Sequence, residues 1–523
     1  MMKNEKLWDI PLNWEWTEIK ALGDVVAGGT PSTKEPRYWG NEVNWISPAD
    51  LTGYSSKTIS CGAKSLSKLG LDNSSAKVMP SGSVHFSTRA PIGYVAISAE
   101  PLATNQGFKS LIPSGGIFNE YVYYYLKGSK LLAEKRASGT TFLELSGAAF
   151  GLLPIPLPPT PEQHRIVAKI EELFSALDKG VENLKTAREQ LKVYRQAVLK
   201  HAFEGKLTGQ WREENRDKLE SAHQLLARIR QEREIRYEQQ LEEWKTAVKD
   251  WEAKGKPDKK PAKPRKPAKP DKPRADQVEI MWDGPPNWQW LQLGDFCFVT
   301  KLAGFEYTKF VRYDDDGDLP VIKAENAGPN GFRRTEYSHV HSSSVKNLTR
   351  SYLGGGELLM VFVGAGTGNV ATVPSDRTYF LGPNIGMMRL ESDAINPRYV
   401  ELFLRSPKGK QLALASVKAV AQPSLSMGTI RQIPVILPST EEQDEIVNAI
   451  EDTLSLLDKQ EQDIEYQLLK AESLRQSILK KAFSGQLVRQ DTNDESASVL
   501  LERIKVEKAE HAKKNKKRKK EAA

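Results

Sequence analysis

Cysteine is nearly absent from this chain: 523 residues contain two, Cys61 and Cys297. They are too few and too far apart to suggest a disulfide scaffold, and they match the usage of a reducing cytoplasm. Long apolar runs are missing as well. The longest, such as Leu358 to Val363, fall far short of the roughly 20 residues needed to span a bilayer. No signal-like apolar segment opens the chain, so a soluble, cytoplasmic protein is expected. Signatures of catalysis are also lacking: there is no P-loop, no His-Glu-x-x-His, no Asn-Pro-Pro-(Tyr/Phe) and no metal-spaced Cys/His cluster. No catalytic residue and no metal site can therefore be named. One decoy exists in the glycine-rich stretch Gly364-Ala365-Gly366-Thr367-Gly368 after Leu358 to Val363. The next segment, Asn369 to Val373, reads as a second strand rather than the helix a bound phosphate requires. A β-turn is the better reading.

Excess charge of one sign is missing from most of the chain, although the formal net charge is +8. Lys254 to Ala275 holds ten basic against two acidic residues, and Lys505 to Ala523 nine against three, which leaves the remainder near −6. Net charge is thus no argument for nucleic acid. Any DNA contact in the folded body must come from a local patch or be shared with a partner.

The chain does contain itself twice. Thr160, Glu162, Gln163, Ile166, Val167, Ile170, Leu177, Asp178 and Lys179 recur 280 positions later as Thr440, Glu442, Gln443, Ile446, Val447, Ile450, Leu457, Asp458 and Lys459. In the same register Arg195, Leu199, Ala202, Phe203 and Gly205 recur as Arg475, Leu479, Ala482, Phe483 and Gly485. A register kept over so many residues without a gap indicates a helix of fixed length used twice, hence a pseudo-twofold molecule. Thr160 and Thr440 are expected as N-caps, with Gln163 and Gln443 completing capping boxes, and Gly205 and Gly485 as C-terminal caps. The seam Ile166, Ile170, Leu173, Leu177, Val181, Leu184, Leu191, Tyr194, Val198 is matched by Ile446, Ile450, Leu457, Ile464, Leu468, Leu474, Ile478. Its spacing suits a two-helix coiled coil. Because a variable module precedes each helix, an antiparallel pair would place the modules at opposite ends.

Those modules, about Pro11 to Pro158 and Pro285 to Pro438, open on Asn13-Trp14-Glu15-Trp16 and Asn287-Trp288-Gln289-Trp290. They are rich in Gly, Pro and short β-prone runs, and they match loosely: Val95 with Val370, Asn105 and Gly107 with Asn384 and Gly386, Leu145-Ser146 with Leu425-Ser426. The tryptophans read as core anchors. A charged helix from Leu219 to about Ala253 precedes the Lys/Pro run Lys256 to Pro273, which is either a DNA-attracting segment or a soluble polyproline-like spacer. Glu220-Ser221-Ala222 and Leu225-Leu226 return as Glu495-Ser496-Ala497 and Leu500-Leu501, ahead of a basic tail expected to be disordered.

Two modules opening Asn-Trp-x-Trp and closing on Pro-x-x-(Thr/Ser)-x-Glu-Gln-x-x-Ile-Val before a long helix resemble the specificity subunit of a type I restriction-modification enzyme. The stretch Gly28-Gly29-Thr30-Pro31-Ser32, Tyr38-Trp39-Gly40, Trp45-Ile46-Ser47 and Asp50-Leu51 is similar to the opening of target-recognition domains in that family. The resemblance implies an α+β protein: two mixed α/β target-recognition domains joined by two long antiparallel coiled-coil helices with a pseudo-twofold internal repeat. The divisions expected are recognition domain 1 (1–158), helical arm 1 (159–216), charged helix and linker (217–284), recognition domain 2 (285–438), helical arm 2 (439–490), then a short helix and basic tail (491–523).

The resemblance also implies a non-catalytic subunit that reads an asymmetric, bipartite double-stranded DNA site. It would dock two methylase subunits, with restriction subunits joining, and S-adenosylmethionine, ATP and magnesium would sit on those partners. An autonomous methyltransferase or nuclease and a coiled-coil scaffold stand as the other classes. Arg and Lys donate to guanine or phosphate, Asn pairs with adenine, and aromatics pack on sugars or bases. On these grounds Lys34, Arg37, Tyr38, Trp39 and Arg89 are DNA-contact candidates in the first module. Tyr307, Lys309, Arg312, Asn326, Arg333 and Arg334 are those of the second. For the arms and methylase docking the candidates are Glu162, Gln163, Ile166, Ile170, Leu177, Glu442, Gln443, Ile446, Ile450 and Leu457.

Overall fold

The computed structural model describes residues 7–89, 91–139, 143–256, 260–264, 266, 273–415 and 424–521. It divides into two compact units, Met1–Lys185 with Ile464–Ala523, and Thr186–Asp463. Among the described residues no helix is long and apolar enough to cross a membrane.

In the first unit the opening strand Glu15–Glu18 pairs antiparallel with the last strand of the module, Pro154–Leu157, so that Trp16 faces Pro156. The chain therefore enters and leaves the module at one place, directly before the arm. Between them lies a five-stranded sheet in the order Gly23–Ala27, Phe108–Pro113, Val84–Thr88, Ile92–Ser98, Thr58–Ile59. Two consecutive helices, Asn119–Gly128 and Lys130–Arg136, follow the sheet's Phe108–Pro113 strand. A second sheet, Trp39–Gly40, Ser65–Leu66, Val43–Ile46, Ala103–Thr104, carries the surface loops.

The second unit repeats the closing pair, Gln289–Gln292 with Pro434–Leu437. Its main sheet runs Cys297–Lys301, Ile385–Leu390, Leu358–Val361, Val370–Thr372. Leu358–Val361 and Val370–Thr372 form an antiparallel hairpin. Gly364 and Gly368 between them have φ of +104° and +86°, left-handed values that glycine adopts freely. The glycine-rich stretch is thus a turn. Strand register corrects one expected match. Phe86 pairs with Val95 and Met360 with Val370, so Val95 and Val370 do correspond. However, the Thr88 amide donates to Gly107 O and the Phe362 amide to Asn384 O. Gly107 therefore corresponds to Asn384, and Lys109 to Gly386. From Val95 to Gly107 is 12 positions and from Val370 to Asn384 is 14, a smaller insertion than the expected match implies.

Both arms are single helices of 44 residues, Thr160–Phe203 and Thr440–Phe483, each about 66 Å long at 1.5 Å per residue. Within the first unit Asp178 meets Arg475 and Arg165 meets Asp494, so the two helical segments run antiparallel there. In the second unit Arg195 bonds Asp458 at 2.6 Å and Glu461 at 3.3 Å, the same pairing with roles exchanged. Gly205 and Gly485 close the arms with φ near +71° and +74°. The amides of Lys206 and Gln486 reach back to His201 O and Lys481 O, as a Schellman cap requires. The N-terminal caps fall one residue earlier than expected. The Gln163 amide already donates to Pro159 O and that of Gln443 to Ser439 O, while the Ser439 hydroxyl accepts from the Glu442 amide. Thr160 and Thr440 instead donate to Gly116 O and Ala394 O. The expected seam is interrupted: Tyr194 and Leu474, equivalent positions, are about half exposed, while Val198 and Ile478 beyond them are buried.

A further helix after each arm packs on a module. Helix Ala222–Ala253 buries Leu225 and Ile229 in the second unit, and helix Ala497–Glu521 buries Leu500 and Ile504 in the first. The matched pairs Arg228–Glu220 and Arg503–Glu495, both 2.7–2.8 Å, brace their starts. The tail is therefore helical through Glu521 rather than disordered, because its Ala, Glu and Lys residues are strong helix formers once the first turns are anchored. Of the Lys/Pro run, 257–259, 265 and 267–272 lie outside the described residues. Near it Pro261 O accepts from Trp244 Nε1 at 2.9 Å. Just ahead of the second module, Trp282 packs edge-on against Trp290 at 4.9 Å.

Candidate nucleic-acid interface

The arm residues of the docking set are the modules' own anchors. Glu162, Gln163, Ile166, Ile170, Glu442, Gln443, Ile446 and Ile450 are fully buried, Leu457 nearly so, and Leu177 partly. Each buried isoleucine contributes roughly 1.5–3 kcal/mol to holding arm against module. Trp14 Nε1 donates to Glu162, and Trp288 Nε1 to Glu442, both at 3.0 Å. Gln163 and Gln443 accept from the amides of Phe118 and Asn396 at 2.8 and 2.9 Å, fixing the start of each module's main helix. Apart from the partly exposed Leu177, these side chains offer a partner no surface. The sequence signal overlooked was the pair Trp8 and Trp282, six residues before Trp14 and Trp288. Their carbonyls accept from Trp16 Nε1 and Trp290 Nε1 at 3.2 Å.

The DNA-contact candidates of the first module fall in two places. Lys34, Arg37, Tyr38 and Trp39 line one loop. Lys34 and Arg37 are exposed, Tyr38 and Trp39 partly so. Glu35 grips the Arg37 guanidinium with two bonds of 2.9 and 3.0 Å, and this bonding holds the Glu35 carboxyl down at about 2. Trp39 stands edge-on to buried Trp45 at 5.4 Å, and Trp45 Nε1 donates to Gly29 O. The Gly28-Gly29 turn needs glycine because side chains there would run into Asn105 O and the backbone at Ser75. Lys64, which sequence reasoning missed, lies over the Trp39 ring. Together with Thr33, Pro36, Gly40, Ala63 and Ser65 these two border a cleft of about 490 Å³. Arg89 is elsewhere, beside Glu144 at 3.6 Å.

In the second module two groups separated in sequence come together. Tyr307 meets Tyr313, with hydroxyls 3.4 Å apart, and Lys323 lies over the Tyr313 ring at 4.6 Å. The Lys323 amide donates to the Asn326 side chain, and Asn326 Nδ2 donates to Arg333 O and Thr335. Tyr313 and Lys323 were not among the candidates, and they are the link. Asn326 itself is corrected: it is 1% exposed and spends its amide on the backbone of Lys323 and Arg333 and the Thr335 hydroxyl, so it shapes the hairpin bearing Arg333 and Arg334 rather than reading a base. Arg334 is exposed and pairs with Asp376 at 2.7 Å, while Arg333 is exposed across Gly328. Arg312 turns back to cap Thr308 O and Val311 O, and Lys309 lies over Phe310. Among the described residues no cluster of His, Cys, Asp and Glu could hold a metal ion.

Comparison with known proteins agrees with this duplicated plan. The family model for the type I restriction modification DNA specificity domain matches residues 11–189 and 285–469. The chain is 38% identical over 204 residues to the type I restriction enzyme MjaIX specificity subunit of Methanocaldococcus jannaschii, a match covering 38% of this chain and 46% of that one. It is 27% identical over 428 residues to the EcoKI specificity subunit of Escherichia coli, covering 78% and 76%. In fold it is similar to the HsdS subunit from Thermoanaerobacter tengcongensis, with a TM-score of 0.54 at 16% identity over 92% of this chain and all of that one. A chain from a study of assembly and conformational transition of the type I R-M system gives 0.60 at 17% over the same shares. Specificity subunits are the non-catalytic, DNA-recognising components of such enzymes. With both of its modules and both arm starts matched, the chain belongs to the type I restriction-modification specificity subunit family.

Proposed function

We propose that this chain reads a bipartite, asymmetric double-stranded DNA site, one half-site per module, and docks two methylase subunits that a restriction subunit can join. The observation that carries this reading is the contrast within the repeat. The two modules share their closing strand pair, main-sheet register and arm anchors, yet present different loops: Lys34 to Trp39 with Lys64 in one, and the Tyr307–Tyr313–Lys323 group with the Arg333–Arg334 hairpin in the other. A common scaffold with divergent cationic and aromatic loops suits two different sequences. S-adenosylmethionine, ATP and magnesium belong to the partners in this reading, and the complex works in the cytoplasm. Exposed apolar side chains on each arm, Val193 on the first and Tyr466 and Leu469 on the second, support partner contacts on the arms in place of the buried anchors. Since the bulk of the chain is net acidic, specific DNA binding is expected to be weak for the chain alone and strong with its methylase.

The test is methylome sequencing of cells with and without the gene, which should reveal one split motif that depends on it. Inserting four residues, about one helical turn, after Lys185 should lengthen the unread gap and leave both half-sites unchanged. A motif that is continuous, or half-sites that change with the insertion, would sink the reading.

A further inference from the structure

A charged trio sits in the first module where the second has none. Arg89 forms an isolated β-bridge with Glu144, and Val363 forms the equivalent bridge with Ser424. Lys109 occupies the position of Gly386, as the strand register shows. Arg89, Glu144 and Lys109 are thus replaced by valine, serine and glycine.

The space around Lys109 shows the same replacement. A methyl group on Gly147 would lie 3.6 Å from Cε of Lys109, and one on Gly386 would lie 3.2 Å from Cε of Met427. Gly147 and Met427 are themselves equivalent, each following the serine, Ser146 or Ser426, that caps a short helix. One volume is therefore filled by a lysine stem from the strand in one module and by a methionine from the helix in the other. The scaffold accepts an apolar group there, so packing does not require the ammonium. Its presence has a cost: Lys109 is 8% exposed, and burial lowers its affinity for a proton, Glu144 opposing and Arg89 adding to that effect. Its Nζ donates to Gln106 O at 3.0 Å, and the Gln106 side chain meets Thr30. A costly cation confined to one of two sister modules belongs to function rather than folding.

We propose that Arg89 reads a guanine in one half-site, with Glu144 and Lys109 as its positioning residues. The inference rests on the DNA-reading function proposed above. Arg89 is the accessible cation of the trio, its side chain 38% exposed beside Glu144 at 43%, and a guanidinium bonds guanine O6 and N7 with two donors at once. Glu144 decides between base and backbone. A carboxylate beside the guanidinium repels a phosphate but tolerates the neutral acceptors of a base edge, and it restricts the rotation of the arginine. Lys109 lies behind, within electrostatic reach of both, and its positive charge draws the Glu144 carboxylate towards the site. Two cations against one carboxylate leave the site net positive, which suits an acceptor pair.

The experiment is methylome sequencing of cells carrying the full-length chain and its methylase. Wild type should show a guanine in one half-site that R89A relaxes, discrimination at that base falling on the order of 10-fold or more. The other half-site and the gap should be unchanged, and their persistence shows that the variant folds. R89K, which loses two-donor geometry, should relax the same base. K109M, which refills the volume as Met427 does in the sister module, and E144Q should relax it to a smaller degree. A motif that keeps its guanine in R89A, or modification that falls equally at every site, overturns the assignment. A wild-type methylome without any split motif overturns the DNA-reading function itself, and this inference with it.

Discussion

The two arm-to-module junctions differ in how they treat the same buried carboxylate. In the second unit Glu442 accepts from Trp288, Asn287, Thr208 and Arg212, the last at 2.7 Å, and Arg212 also caps Gly205 O. In the first unit Glu162 has Trp14, while the residue that caps Gly485 O is Gln490, a neutral amide. Burial accordingly holds the Glu162 carboxyl above its ordinary 4.5, against the pull of Trp14, Gln490 and Arg165. A repeat can therefore keep an anchor while changing the charge that compensates it. The consequence is that one anchor carboxylate, Glu442, is committed to an ion pair, whereas the other, Glu162, is held by a tryptophan.

Breaking the committed junction should have the largest effect. R212A leaves Glu442 fully buried without its cation, and removing one partner of a buried pair costs about 3 kcal/mol or more. The second unit should unfold at lower denaturant concentration, read by hydrogen exchange at Leu291 and Ile446. E442Q in the same chain should recover part of the loss, because the orphaned charge is then gone. An R212A chain as stable as wild type would show that the pair is not what holds that junction.

The first junction should respond to pH instead. A carboxyl whose folded value lies above its unfolded one binds the proton more tightly when folded. Its contribution is full below about 4.5 and is lost as pH rises through the folded value. Denaturant titrations across that window should show the first unit weakening relative to E162Q as pH rises. Q490R, which brings in the cation of the sister junction, should flatten the dependence as E162Q does. An E162Q chain with the same pH profile as wild type would contradict the asymmetry.

Much of this was legible in the sequence, and for an identifiable reason. The arms were readable to within one residue because a helix fixes its own register: Phe203 and Gly205 are set by periodicity and a cap, and only the N-cap moved, from Thr160 to Pro159. Arg212 and Gln490 were not readable as counterparts, since they sit at different distances from their glycines in irregular turns. The buried state of Glu162 and Gln163 was hidden for a related reason. Charged and amide side chains at a helix start read as caps, and only the tertiary approach of Trp14 and Phe118 turns them into core anchors. Of the DNA-contact set, residue type alone could not tell Asn326, which serves the backbone, from exposed Arg333. Lys64 and Lys323 escaped because their aromatic partners are distant in sequence.

The smallest expected effect concerns the rim of the same junctions. In the first unit Lys57 bridges Glu120 and Glu171 at 2.8 and 2.6 Å. In the second, Arg398 stands where Glu120 does and bonds Glu451, the counterpart of Glu171, directly at 2.7 Å, while also holding buried Glu401. Two carboxylates facing one another in the first unit thus need a third residue, borrowed from a loop, whereas the second unit needs none. All three first-unit partners retain a quarter or more of their exposure, so solvent screens them and the bridge should be worth about 1 kcal/mol or less. R398A should cost more than K57M, since it removes one of the two cations, Arg398 and Arg405, that pair with Glu401, whose side chain is 1% exposed. A double-mutant cycle of K57M with E171Q isolates the first term. A coupling well above 1 kcal/mol would mean that the loop carrying Lys57 is part of the joint, so that exchanging recognition loops between modules would loosen the arm as well as change the sequence read.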